Sequence, residues 1–562
     1  MNRIRLLLAA IVSVQLLSAC EFAEGTNNGE VPNESDPVSV YQEAGLAKFD
    51  PPITITFVRE TGEGLEGLSR NLGETIENNR WNRLYEDVLG IQIRNQWIAR
   101  GDLYRQKLGV ALASGNIPDV IRVNAEQLRQ LSNAGLIQDL TEVYDTYAAP
   151  FTKEILTQEG TGPFEAATID GQLMGIPDTG ASIESAEFLW IRTDWLDRLG
   201  LQPPTTINDV LAISKAFAER DPDANGVADT YGLAVTQHLW DPAMGVGGFM
   251  AGYGAYANMW IEDESGGLVH GVVQPEVKQA LAALQEMYRD GQIDSEFAFK
   301  NGDKVGKDVT AGKYGILYGQ QWTSFLVGSS YEENPEAEWQ AYPIVSATDA
   351  QVLVPLPFAT SHFYAVKKGY PHPEAIVKMF NLHLEKNWGA TAEFETYYST
   401  PYPAWQLSPV TPFPARKNLE AFKQLEEARR TGDTSMLKAE AQSIHKNIEA
   451  YLTKGDNMGW GWYHTYGPDG AFAALDEYER NDQLLYEPFV GAPTKTMVEK
   501  ESILHNLAHE TFVNIILGRP IDEFDRFVEE WNRLGGERMT AEVNQWYEDR
   551  GSTQEESDIG GD

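Results

Sequence analysis

Cysteine is almost missing: a single thiol, Cys20, stands in 562 residues. One sulfur cannot close an internal disulfide or build a multi-thiolate zinc or iron–sulfur cage. Basic residues are also scarce, with 44 Lys and Arg against 83 Asp and Glu and a formal net charge of −39. That field repels phosphate backbones and anionic headgroups, which argues against nucleic acid and against peripheral binding to lipid. No Walker loop and no G-x-S-x-G elbow occurs. His505 and His509 lie four apart beside Glu510, in neither order used by zinc proteases, and read as one exposed helix face. Gly62, Gly64 and Gly67 formally fit G-x-G-x-x-G, but Glu63 and Glu66 would set two negative charges against a pyrophosphate. Aromatic side chains are plentiful, with 14 Trp, 24 Tyr and 22 Phe in an otherwise ordinary globular composition. The length predicts three domains or one large two-lobed unit.

No apolar run is long enough to span a bilayer, which takes about 20 residues. The first, from Leu6 to Leu17, is broken by Ser13 and Gln15, follows Arg3 and Arg5, and ends in Ser18-Ala19-Cys20. This order of charge, short apolar stretch and small residues is that of an export signal over 1–19. The tetrapeptide Leu17-Ser18-Ala19-Cys20 resembles the bacterial lipobox. The resemblance implies that Cys20 receives diacylglycerol, becomes the new N-terminus, and holds the protein by lipid alone on the outer face of the cell membrane. Residues 20–50, rich in Glu, Asn, Gly, Pro and Ser, read as an acidic flexible tether, and 551–562 as a disordered tail.

Between them the pattern alternates. Residues 53–58 suit a buried strand, 72–89 a helix ending at Gly90, 91–99 a strand, 102–114 a helix ended by Gly115, 118–123 a strand, and 126–133 a helix. Such alternation predicts an α/β fold with parallel strands and crossover helices. Within it, Leu112-Ala-Ser-Gly-Asn-Ile-Pro-Asp-Val-Ile121, Asp170-Gly-Gln-Leu-Met-Gly-Ile-Pro177, Leu189-Trp-Ile-Arg-Thr-Asp-Trp-Leu-Asp-Arg-Leu-Gly200, Ala311-Gly-Lys-Tyr-Gly315 and Ile516-Leu-Gly-Arg-Pro-Ile-Asp-Glu-Phe524 resemble the sugar-type extracellular solute-binding proteins of ABC importers. They are closest to the large lipoproteins of Bacillus-like bacteria, relatives of the alginate- and maltose-binding proteins. The resemblance implies a two-lobed, type II-like periplasmic-binding-protein fold with a multi-crossing hinge and a central cleft that closes on ligand. Lobe one would hold 51–178 and 358–415, and lobe two 179–357 and 416–550. The implied function is capture of an oligosaccharide and its delivery to ABC permease subunits by a monomer, with no catalysis. Two other readings stay open: a secreted carbohydrate-active enzyme, since any carboxylate pair among 83 acids is uninformative, and a surface polysaccharide-binding protein without a transport role.

Two groups of residues carry the chemistry. Asp221, Asp223, Asn225, the Val227 carbonyl and Asp229, with Gly226 at the turn, match positions 1, 3, 5, 7, 9 and 6 of an EF-hand loop and predict a structural calcium site. Gly232 replaces the bidentate Glu at position 12, so a further oxygen would be needed. A saccharide cleft, in turn, needs rings for the apolar sugar faces and polar groups for the hydroxyls. By position and by the family resemblance the candidates are Arg59, Glu60, Glu126, His238, Trp240, Asp241, Gln321, Trp322, Trp405, Trp460 and Trp462. Trp460 and Trp462 are read as a glycine-flanked aromatic loop, because glycine disfavours a helix interior.

Overall fold

The computed structural model describes residues 45–399, 402–455 and 457–559. Cys20, the export signal and the tether as far as residue 44 lie outside the described residues. Residues 45–49 belong to the folded body, not to the tether: the Gly45 carbonyl accepts from Asn381 Nδ2 at 2.9 Å, the Ala47 carbonyl from Lys378 Nζ at 2.8 Å, and Phe49 N–H donates to the Leu89 carbonyl at 2.9 Å.

Lobe one begins with a strand over Ile53–Thr61, which buries Ile55, Phe57 and Val58 and runs parallel to Ile91–Arg100. The connection between them is not the single helix expected over 72–89. A helix over Glu63–Leu72 ends where Gly73 turns left-handed, and a second starts at Arg80 under an Asn79 cap and passes into a wider turn over Tyr85–Leu89. The helix Gly101–Ser114 then leads to the strand Val120–Asn124. Thr56 ties this strand to the first, donating through N–H and Oγ1 to Asp119 Oδ2 at 2.9 and 2.7 Å. The strand Val120–Asn124 also pairs with His362–Val366, which lies between it and Ile176–Asp178 and is antiparallel to both. This three-stranded sheet is thus antiparallel, not parallel as the alternating pattern predicts, because a strand returning from the far half of the chain fills its middle; in this lobe it is the separate pair Ile53–Thr61 and Ile91–Arg100 that is parallel.

Lobe two centres on a four-stranded sheet in the order Trp339–Tyr342, Glu187–Arg192, Tyr314–Gln320, Tyr231–Leu233. Its central strands read as near-continuous apolar runs because both faces are covered. One cover is the helical segment Lys417–Arg480; the other includes Pro275–Arg289 and the C-terminal helices Lys495–Ile516 and Glu523–Trp531. The last helix runs from Glu537 to Ile559, past residue 551 where a disordered tail was expected.

The aromatic loop expected around 459–464 is a helix, Met458–Tyr466. Its glycines are used for close packing. A methyl group on Gly459 would fall 2.4 Å from the Asn447 carbonyl oxygen, and one on Gly461 would fall 2.5 Å from the Phe325 ring. Helix propensity loses to backbone contact here, and Trp460 packs under Gly328, 1% exposed.

Apolar side chains gather separately in the two lobes. One cluster draws on 55–176 together with 363–410; the others draw on 183–356 together with 419–543. The chain therefore passes between lobes from Ile176 to Ile183, from Leu356 to Phe363, and from Val410 to Leu419. These crossings are laced together. Thr179 Oγ1 donates to the Phe413 carbonyl at 2.9 Å, Ala359 N–H to Ser182 Oγ at 3.2 Å, and the Glu159 carboxylate accepts from Ser182 and Ile183 N–H at 2.8 and 2.7 Å.

Candidate functional site

Each lobe opens a cavity beside the crossings. In lobe one the end of the first strand supplies Arg59 and Glu60, and the strand before the capped helix supplies Arg122 and Asn124. His362, Tyr364 and Thr411 close the hinge side of a space of about 510 Å³. Asn124 caps the helix Ala125–Asn133, accepting from Gln127 N–H at 2.8 Å while Gln127 Oε1 accepts from Asn124 N–H at 3.2 Å. This reciprocal pair fixes both amides at the rim. Glu126, named from the sequence, is exposed and does not line the cavity, since one helical step turns it away from Gln127.

Electrostatically the lobe-one cavity is basic. Arg122 Nε donates to Asp178 Oδ2 at 2.7 Å; burial pushes the Asp178 carboxyl up, and Arg122 opposes that rise. Burial also works against the charge of Arg122, and Asp178 more than restores it. Arg59 reaches only carbonyls, those of Gln406 at 3.2 Å and Leu407 at 3.4 Å, and burial lowers its pKa. His362 is pushed down to about 4 by burial and then by Arg122, so it is neutral at pH 7.

In lobe two, Trp240 lines a smaller space of about 130 Å³ with Ser185, Glu187, Asn258, Gln320 and Pro357. Trp240 is half-buried, its ring edge-on to Phe512 at 6.2 Å. Glu187 accepts from Gly248 N–H at 2.7 Å and is pushed up to about 7 by burial. Trp240 also lines an adjoining space of about 240 Å³ with Trp260, His270, Glu487 and Glu501.

The remaining sequence candidates are scattered. Asp241 accepts from Thr236 Oγ1 at 2.7 Å and fixes the turn that presents Trp240. His238 is exposed, its Nε2 facing Gln237 Nε2 at 2.9 Å. His509 is not a free surface residue: its Nε2 lies 2.8 Å from the Gln237 carbonyl. Gln320, not its half-buried neighbour Gln321, lines the Trp240 cavity, and Gln320 Oε1 accepts from Trp322 Nε1 at 2.9 Å. Trp322 is 36% exposed, and one turn later Phe325 meets the half-buried Trp462 edge-on at 5.2 Å. Trp405 stacks on Tyr398 at 6.2 Å, outside both cavities. Arg122, His362, Glu187 and Asn258 were missed from the sequence. Only Arg122 left a signal, as a charge within the apolar strand Val120–Asn124.

At the calcium candidate, Asp221 accepts from Asn225 N–H at 3.1 Å and Gly226 N–H at 3.0 Å, and the Asn225 amide donates to Asp223 at 2.7 Å and Asp229 at 3.2 Å. Burial and then contact with Asp221 push the Asp223 carboxyl up. Among the described residues, no three His, Cys, Asp or Glu side chains are grouped as a metal would need.

Two lobes, three crossings and a cavity on each side of them describe a molecule that holds something between its halves. The family described as bacterial extracellular solute-binding protein matches residues 75–388, more than half of the chain. The chain belongs to this family. The solute-binding protein is 24% identical to lipoprotein LipO of Bacillus subtilis (strain 168) over 477 residues, 82% of this chain and 88% of LipO. To the polygalacturonan/rhamnogalacturonan-binding protein YtcQ of the same organism it is 28% identical over 218 residues, 38% of this chain and 41% of YtcQ. Among solved structures, the ABC-transporter substrate-binding protein FusA of S. pneumoniae in complex with kestose matches with a TM-score of 0.58 at 16% identity, over 89% of this chain and 100% of FusA. No helix of the solute-binding protein among the described residues is long and apolar enough to cross a membrane.

Proposed function

We propose that the protein captures an oligosaccharide between its lobes and passes it to an ABC permease. The observation that carries this reading is the pairing of a ring-bearing cavity around Trp240 with a hydrogen-bonding cavity around Arg59, Asn124 and Gln127, both beside the same three crossings. Ligand that touches both halves only when they close shifts the population towards the closed form, and that shape is what a permease reads. YtcQ and FusA, by their names a polysaccharide binder and a fructooligosaccharide transporter subunit, support the ligand class. A lipid anchor at Cys20 places the carrier on the outer face of the membrane, and LipO, named a lipoprotein, supports that location.

Calcium is part of the proposal. Asp223 and Asp229 accept from the Asn225 side-chain amide and Asp221 from the Asn225 and Gly226 N–H groups, so one short turn carries the hard carboxylate oxygens that this ion prefers. The ion would brace the end of the helix Ile207–Glu219 and take no part in ligand capture.

The test is calorimetric titration of the full chain with a panel of neutral and acidic oligosaccharides, followed by mass analysis of the recovered ligand. Saturable binding with the ligand returned intact supports a carrier. Cleavage products would favour an enzyme, and absence of binding to every glycan would contradict the proposal.

A further inference from the structure

A chain of net charge −39 places three arginines around one cavity and lines it with a single carboxylate, Glu60. Their pairing differs. Arg105, at the rim, is paired with Asp102. Arg122 spends Nε on Asp178, and its two terminal nitrogens have no protein acceptor among the described residues. Arg59, deeper in, has the carbonyls of Gln406 and Leu407 and no carboxylate within ion-pair distance among the described residues. Its charge is therefore held by dipoles alone, next to the like charge of Arg122. Arg59 is half-buried, and a partly desolvated cation without a counter-ion favours a ligand that brings one. The other titratable neighbours do not supply it: Tyr104 and Tyr364 are held protonated by burial, and His362 is neutral. The lobe-two cavity, by contrast, is lined by no Lys or Arg. Charge recognition thus belongs to lobe one and ring stacking to lobe two.

We propose that the natural ligand is an anionic saccharide, carrying a carboxylate or sulfate group that docks between Arg59 and Arg122 in the lobe-one cavity. This rests on the oligosaccharide-carrier reading and narrows it to a charge class. A bidentate contact to each guanidinium would also fix which end of the sugar faces lobe one.

The experiment titrates the full chain with trigalacturonate, with its methyl ester, which has the same rings without the charge, and with a sulfated neutral trisaccharide. At least tenfold tighter binding of one of the charged sugars than of the ester is expected, and this preference should shrink as salt rises from 50 to about 500 mM. Whichever charged sugar binds tighter identifies the anionic group. Arg59→Gln should abolish most of the preference, and Arg59→Lys should keep part of it. The Lys variant also guards against a fold defect, because Arg59 anchors the 406–407 turn. Equal binding of the ester and both charged sugars, or an undiminished preference in Arg59→Gln, overturns the proposal while leaving the carrier reading intact. Failure of every glycan, charged or neutral, contradicts both.

Discussion

A methyl group on Gly180 would lie 2.5 Å from the carbonyl oxygen of Ala359. Two of the three crossings therefore touch backbone to backbone at the point where the lobes join, and only a residue without a side chain permits that contact. Thr360 Oγ1 accepts from Gly180 N–H at 3.4 Å in the same place. Gly180→Ala must push the crossings apart. We expect a loss of about 1–3 kcal/mol in denaturant unfolding, by overpacking, together with weaker ligand binding. Unchanged stability and affinity would show that the crossings are looser than described.

Trp240 and Trp460 separate ligand contact from core. Trp460 is fully enclosed, stacked on His464 at 3.7 Å, so Trp460→Ala should cost about 3–5 kcal/mol of stability and leave the affinity of the folded protein unchanged. Trp240→Ala removes a half-buried ring from the cavity wall and should weaken saccharide binding about tenfold, or ~1.4 kcal/mol, with a smaller effect on unfolding. Thermal melts and calorimetry on the two variants read both effects.

Glu487 gives a pH test. Its carboxylate accepts from Trp260 N–H at 3.0 Å and from Phe358 N–H at 2.9 Å, linking lobe two to the second crossing, and burial pushes it up to about 7. An unfolded glutamate releases its proton near about 4.3. Between that value and about 7 the folded chain binds the extra proton, so this group's contribution to stability falls as pH rises through the window. The buried histidines His270 and His383, pushed down to about 4 and about 3, act with the opposite sign below about 6.5, so the comparison must be between variants. The stability of Glu487→Gln relative to the parent should climb from pH 4.3 to 7, by up to about 1.4 kcal/mol per unit, and then level off. A flat difference across that range would contradict the assignment.

Chelation tests the calcium loop. Any ion that binds only the folded chain raises its melting temperature by mass action. EDTA should lower the melting temperature of the parent and leave Asp221→Asn unmoved, because Asp221 sits at the first position of the loop and accepts two backbone N–H groups. No response of the parent to chelator or to added calcium would dismiss the site.

The α/β class and the two-lobed architecture were legible because burial periodicity and the turn glycines Gly90 and Gly115 punctuate the first 130 residues, and because family segments recur along the chain. Of the candidate residues, Arg59 lies near the end of the first strand and lines the lobe-one cavity, and Trp240 lies beyond the strand Tyr231–Leu233 and lines the lobe-two cavity. Legibility failed where a contact from elsewhere in the chain decides the outcome. Gly459 and Gly461 look like helix breakers until Asn447 and Phe325 are set against them. His362 joins Arg122 only because its strand returns after almost two hundred residues to the middle of the lobe-one sheet. Family resemblance points to Glu126, whereas the Asn124 cap sets the helical phase that brings Gln127 to the cavity instead.

Closure of the two lobes on a saccharide is the claim on which the rest depends, and small-angle X-ray scattering of the full chain with and without a bound oligosaccharide measures it directly. The account predicts a reproducible fall in radius of gyration at saturation, reversed when ligand is removed. A saccharide shown by calorimetry to be bound, with the radius unchanged, would contradict it.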